Sequence, residues 1–157
     1  MALNWTVLTD QHLVVVNGHG QVTREDIDGY LAASIRSGTK AYAKLIEIGT
    51  TCALDLSADD LDHVVQRHAD YARDGGVGPV AIVVHSPLNL DMAMLLKQRV
   101  GNRPYSIFVS TSDALAWLRT FLASSSLYAG RVPSRHAHAT LSLADHATSF
   151  DRQGAAA

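Results

Sequence analysis

Hydroxyl and imidazole side chains follow three apolar segments of the sequence, at the points where strands are predicted to end. Six such residues form three pairs, namely Thr50 and Thr51, His85 and Ser86, and Ser110 and Thr111. Because the carboxyl ends of parallel strands meet at one edge of a sheet, these side chains are expected to converge there. Backbone N–H groups at helix starts favour anions, so the edge is a candidate ligand site. The alternative is that the serines and threonines only cap helices.

The elements that must position these residues alternate between strands and helices. Two apolar, β-branched segments, "NWTVLTD" and "HLVVVNG", flank Asp10 and Gln11 and predict a hairpin. Strand-like segments "YAKLIEIG", "PVAIVVHS" and "YSIFVS" then alternate with four helical segments. The predicted order β-β-α-β-α-β-α-β-α is an α/β fold with a mixed, mostly parallel sheet of four to five strands.

Helix boundaries and inward faces follow from capping residues and apolar spacing. Thr23 is expected to cap the first helix, and Ser57 with Asp60 three residues later predicts a capping box for the second. Apolar spacing places Ile35 on the inner face of the first helix. In the third helix the same rule predicts that five residues face inward, namely Leu88, Met92, Leu95, Leu96 and Val100.

The composition predicts one globular domain and a tail. Of 157 residues, 47% are apolar and 18% charged, so a core can form. The predicted domain covers residues 1–123, while residues 124–157 are rich in Ala, Ser and His and are expected to be flexible. No signal peptide or membrane span is predicted, because the apolar runs are short.

The net charge and the cysteine content limit the class of partner and the cellular compartment that are expected. The formal net charge is −2 and no basic run is present, so a nucleic-acid partner is not expected. The single cysteine, Cys52, cannot form an internal disulfide, which favours a reducing, cytoplasmic compartment. Cys52 could be a nucleophile if a nearby base lowered its pKa, but a partly buried loop thiol is the preferred interpretation.

Motifs for enzyme chemistry and metal binding are not found. The sequence contains no G-x-x-x-x-G-K-[ST] nucleotide loop and no G-x-S-x-G elbow. His63 and His68 are five residues apart, which does not suit two metal ligands on one helix. His68 lies on an apolar helix face and is expected to be a packed residue. A non-enzymatic protein without metal or cofactor is therefore expected.

From about residue 5 to 118 the chain resembles the STAS-like family. The matching segments are the opening hairpin, "GQVTREDIDGYL", "KLIEIG", "GPVAIVVHS" and "IFVSTSDALAWL". The closest resemblance is to the branch described as similar to anti-sigma-factor antagonists and to CRAL-TRIO lipid-transfer domains. The resemblance implies a STAS-like α/β fold and a regulatory or ligand-binding module.

The resemblance also bears on the loop after "KLIEIG". In the antagonists this position carries a segment of type Asp-Ser-Ser-Gly-Leu-Gly, whose serine is phosphorylated by a partner kinase. Here it reads Gly49-Thr50-Thr51-Cys52-Ala53, without the Asp-Ser pair. The leading hypothesis is a regulatory module that contacts an unidentified protein partner. The alternative is a binder of an anion or an amphipathic molecule at the sheet edge, and a homodimer is also considered.

Overall fold

The computed structural model describes residues 2–101 and 103–129, with the backbone alone from residue 125. A five-stranded mixed sheet has the spatial order β1-β2-β4-β6-β7, in which only β1 is antiparallel to its neighbour. Its strands are β1 (Leu3–Leu8), β2 (Leu13–Gly18), β4 (Ala43–Ile48), β6 (Val80–Val84) and β7 (Tyr105–Phe108). The predicted hairpin and the predicted mostly parallel sheet are both confirmed.

Four helices cover the sheet unequally. They are α1 (Arg24–Arg36), α2 (Ala58–Ala72), α3 (Pro87–Arg99) and α4 (Thr111–Ala129). On one face Val16, Ile48 and Ile82 share a core with residues of α1, α2 and α3. On the other face Leu45 and Val83 pack with Leu118 of α4. The sheet therefore separates a three-helix side from a one-helix side.

The central strand β6 is buried along its whole length. A parallel strand covered by helices on both faces has no polar side, so it reads as a continuous apolar run. "VAIVV" is such a run, which confirms the predicted central strand.

Capping interactions fix the starts of the helices. Ser57 Oγ accepts from the Asp60 N–H at 3.2 Å, and Asp60 Oδ2 accepts from the Ser57 N–H at 3.1 Å. This reciprocal pair is the predicted capping box of α2. At α1 the Asp26 carboxylate accepts from the Thr23 N–H at 3.2 Å.

A two-stranded ladder was not predicted from the sequence. It pairs β3 (Gln21–Val22) with β5 (Ala53–Leu54) in parallel. The ladder ties the segment between β4 and α2 to the segment before α1. Strands of two residues carry too little alternation to be recognised in a sequence.

Three predicted inward-facing residues are exposed instead. Ile35 is 55% exposed, and on α3 Leu88 and Leu95 are 68% and 39% exposed. The third helix is apolar on several sides, so spacing alone could not identify the buried one. Its buried side carries Ala93 and Asn89, together with Leu96.

Helix α4 continues to Ala129, past the predicted domain boundary at residue 123. The rest of the predicted tail, with His136, His138 and His146, lies outside the described residues. Among the residues that are described, no helix is both long and apolar enough to cross a membrane.

Candidate functional site

At the predicted sheet edge, three of the six candidate side chains make local contacts. Ser86 Oγ caps α3 by accepting from the Asn89 N–H at 3.2 Å. Ser110 Oγ accepts from the Asp113 N–H at 3.4 Å at the start of α4. Thr111 Oγ1 donates to Glu47 Oε1 at 2.7 Å. Ser86 and Ser110 thus have the capping geometry of the alternative interpretation.

The other three candidates, Thr50, Thr51 and His85, are exposed at the same edge. Glu47 places a carboxylate there, and a negative charge opposes an anionic ligand. Cys52 is buried, and burial raises the pKa of its thiol, which disfavours the reactive thiolate. A ligand site at this edge stays a prediction.

The loop between β4 and α2 is fixed by the side chain of Asn89 on α3. Asn89 is 1% exposed, and its Nδ2 donates to the Cys52 carbonyl at 2.8 Å. Its Oδ1 accepts from the Leu54 N–H at 3.4 Å. The amide thus supplies both a donor and an acceptor to loop backbone that would otherwise be buried without partners.

A different site lies on the three-helix side of the sheet. Strands β1 to β7 and helices α1, α2 and α3 line a partly open cavity of about 90 Å³. A single buried water needs about 10–15 Å³, and an engineered cavity of roughly 150 Å³ binds benzene. This cavity is therefore large enough for several waters or for part of a small organic molecule.

One end of the cavity is polar and the other is apolar. Lys44, Val80 and Tyr105 stand in register across β4, β6 and β7 at the amino ends of these strands, and all three line the cavity. Towards the carboxyl ends the wall is apolar, with Ile48 and Ala93 among its residues. The polar end is thus opposite to the sheet edge that the sequence predicted.

Arg103, in the connection between α3 and β7, is at the centre of the polar end. Its Nε donates to the Gly78 carbonyl at 2.8 Å, and its guanidinium carbon lies 5.8 Å from the centre of the Tyr71 ring. Burial lowers the pKa of Arg103, while Tyr71, Tyr30 and Tyr105 oppose that shift. The three phenols are thus close enough to Arg103 to interact with its charge.

Four buried side-chain polar atoms in the described part of the chain have no hydrogen-bond partner. They are the Tyr30 hydroxyl, His68 Nδ1, Arg103 Nη2 and the Tyr105 hydroxyl. All four residues line the same cavity. Leaving a buried polar atom unpaired costs about 1–3 kcal/mol, so four such atoms around one cavity call for polar partners, either waters or a ligand.

Burial also decides the charge states at this end. It lowers the pKa of His68 to about 4, with Arg103 adding to the shift, so the imidazole is neutral at pH 7. Burial and Arg103 lower the pKa of Lys44 to about 7. The Lys44 ammonium donates to the carbonyls of Thr39, Lys40 and Tyr42, which opposes that shift.

Sequence reasoning missed most of this cluster. The sequence predicts a packed His68 on an apolar helix face, and no predicted site includes Lys44 or Arg103. A lysine inside the strand "AKLIEI" was the available signal, because a charge within an otherwise buried run needs buried partners. No group of three His, Cys, Asp or Glu side chains suited to a metal ion occurs among residues 2–101 and 103–129.

No protein-family model matches the sequence, and no curated protein matches it. Among solved structures, the anti-sigma-factor antagonist SpoIIAA in its unphosphorylated form is similar at 12% identity, with a TM-score of 0.48. That similarity covers 75% of this chain and 98% of the other. An uncharacterised DUF3478 protein with a SpoIIAA-like fold, from Shewanella loihica, is 19% identical with a TM-score of 0.46. It covers 74% of this chain and 92% of that one.

Proposed function

We propose that this chain is a non-enzymatic binding module that holds a small amphipathic molecule in this cavity. The observation that carries the proposal is that four buried, unpartnered polar atoms belong to residues that line one largely apolar cavity. Ligand sites commonly combine an apolar wall with a few convergent polar groups, which orient the ligand. The polar groups bind the head of the molecule, and the apolar wall covers its tail.

The proposal keeps the ligand class expected from the sequence but moves the site. At the sheet edge, capping contacts occupy Ser86 and Ser110, and Glu47 adds a negative charge. In the cavity lining, by contrast, four polar atoms have no competing partner within the described chain. An interior site also protects an apolar tail from water, which an exposed edge cannot do.

Filling the cavity tests this proposal. Ala93 of α3 is 1% exposed and lines the cavity, so Ala93→Leu adds three carbon atoms where the ligand tail is expected. Native mass spectrometry before and after denaturation, and calorimetric titration with octanoate and octan-1-ol, measure binding. We expect the wild type to bind at least one of these probes and Ala93→Leu to bind neither.

Ala116→Leu is the matched control, because Ala116 is exposed on α4 on the opposite side of the sheet. It should bind like the wild type. A cooperative thermal transition of Ala93→Leu shows that the variant is folded. Equal binding by Ala93→Leu and the wild type would contradict the cavity as the site, and no binding by the wild type would contradict the function.

A regulatory contact with a protein partner is the second candidate. Four apolar side chains of α3 are exposed, namely Leu88, Leu90, Met94 and Leu95. Clustered apolar exposure on one helix is a feature of interaction surfaces. A homodimer is one form of this candidate, and sedimentation showing only a 16.9 kDa species at micromolar concentration contradicts that form. The cytoplasmic location stays a prediction.

A further inference from the structure

The cavity lining has an unbalanced charge. Among the described residues it includes the basic side chains of Lys44 and Arg103 and the neutral His68, but no aspartate or glutamate. A buried cation is costly unless a negative group pairs with it. The site therefore has a positive field that a neutral or cationic ligand would not compensate.

Only part of this positive charge is available to a ligand. The three N–H donors of the Lys44 ammonium point to the carbonyls of Thr39, Lys40 and Tyr42, so Lys44 contributes a field and no free donor. Arg103 uses Nε for the Gly78 carbonyl, and its buried Nη2 has no partner. A single cation with a free donor suits a ligand with one negative charge.

The number of unpartnered groups suits a carboxylate. An ionised carboxylate accepts about four hydrogen bonds through its two oxygens. Arg103 Nη2 and the hydroxyls of Tyr30 and Tyr105 can donate, and His68 Nδ1 can donate in one neutral tautomer. Bonds from a guanidinium to a carboxylate are about twice as strong as neutral ones.

We infer that the cavity takes an aliphatic monocarboxylate, with its carboxylate against Arg103 and Tyr30 and its alkyl chain directed towards Ile48 and Ala93. This inference rests on the proposed function and specifies its ligand class. The volume of the cavity, about 90 Å³, limits the length of alkyl chain that it can cover. The absence of aspartate and glutamate from the described lining residues favours a negatively charged head group.

Head-group variation at constant chain length tests the inference. Octanoate, octan-1-ol and octylamine are titrated into the wild-type protein at pH 7 by calorimetry, with hexanoate and decanoate for chain length. Octanoate should bind at least about tenfold more tightly than octan-1-ol, because a charge-assisted bond replaces a neutral one. Octylamine should bind more weakly than either.

Arg103→Met tests whether Arg103 causes the preference for octanoate over octan-1-ol, since this substitution keeps the length of the side chain and removes its charge. We expect octanoate affinity to fall about tenfold and octan-1-ol affinity to stay the same. Arg99→Met is the control, because Arg99 is 43% exposed and pairs with Asp62 on the surface. If Arg103→Met does not fold, Tyr30→Phe removes one donor and should weaken octanoate binding severalfold.

The outcomes separate this inference from the proposed function. Equal binding of octanoate and octan-1-ol, or preference for octylamine, overturns the carboxylate but leaves a ligand-binding cavity. Unchanged octanoate affinity in a folded Arg103→Met protein also overturns it. If none of the probes binds to the wild type, the proposed function itself fails.

Discussion

At the scale of single residues, two tyrosines of the cavity differ in the hydrogen bonding of their hydroxyl groups. The Tyr71 hydroxyl is 2.8 Å from the Ser34 Oγ, whereas the Tyr30 hydroxyl is buried without a partner. Their aromatic rings are similarly buried, at 5% and 6% exposure. Removing the Tyr71 hydroxyl therefore tests a structural hydrogen bond, whereas removing the Tyr30 hydroxyl tests a group that is proposed to bind the ligand.

For the ligand-free protein we expect opposite effects on the free energy of unfolding. Tyr71→Phe should lower it by about 1–2 kcal/mol, because the Ser34 hydroxyl loses one of its two side-chain partners in the interior and keeps only Thr39. Tyr30→Phe should leave it unchanged or raise it by up to about 1 kcal/mol, because a desolvated hydroxyl is removed. Urea denaturation measures both values. A loss in Tyr30→Phe equal to that in Tyr71→Phe would contradict an unpaired hydroxyl.

At the scale of elements, the start of α3 holds the loop between β4 and α2. Asn89→Ala should lower the free energy of unfolding by about 2–3 kcal/mol, since the Cys52 carbonyl and the Leu54 N–H both lose a partner. Ser86→Ala removes only the helix cap and should cost about 1 kcal/mol. Urea denaturation compares the two variants. Equal losses would show that Asn89 does not hold the loop.

The elements were largely predictable, and the helix faces were less so. The hairpin and the buried strand β6 have strong local patterns, and Ser57 with Asp60 marks the start of α2 unambiguously. On α3 the predicted Leu96 is buried, but Leu88 and Leu95 are exposed while Ala93 and Asn89 are buried, so hydrophobicity predicted only part of the inner face. The buried face of α3 is determined by tertiary packing of small residues, which no local sequence pattern indicates.

The candidate site was less predictable than the fold. The edge residues were identified because chain order alone brings strand ends together. The cavity instead joins Tyr30, Lys44, His68 and Arg103, which come from four separate elements or connections. Their convergence depends on the registers of β4, β6 and β7 and on the placement of α1 and α2. Those registers are long-range properties that periodicity in a single sequence does not encode.

At the scale of the whole molecule, interior charge lies on the three-helix side of the sheet. Lys44, His68 and Arg103 line the cavity there, and burial keeps His68 neutral with a pKa of about 4, below its ordinary 6.5. Between these two values the unfolded chain binds a proton at His68 that the folded chain does not. Stability therefore rises with pH across this window and falls as the pH is lowered.

As the pH falls from 6.5 to 4, we expect protonation of His68 in the unfolded chain to lower the free energy of unfolding by about 3 kcal/mol. The other titratable groups of the lining keep their charge over most of this range, namely Tyr30, Lys44, Tyr71, Arg103 and Tyr105. Urea denaturation of the wild type and of His68→Gln across this window measures the contribution. The variant should show a shallower dependence on pH, and identical slopes would contradict a neutral buried imidazole.

The division of the molecule by its sheet also separates its two tryptophans. The Trp5 ring meets the Tyr30 ring edge-on with 5.5 Å between centroids, beside the cavity. Trp117 packs against Phe108 on the other side of the sheet. A molecule that enters the cavity changes the surroundings of one indole and leaves the other as it was. The intrinsic fluorescence of this protein thus contains both a reporter of occupancy and an internal reference, without any added label.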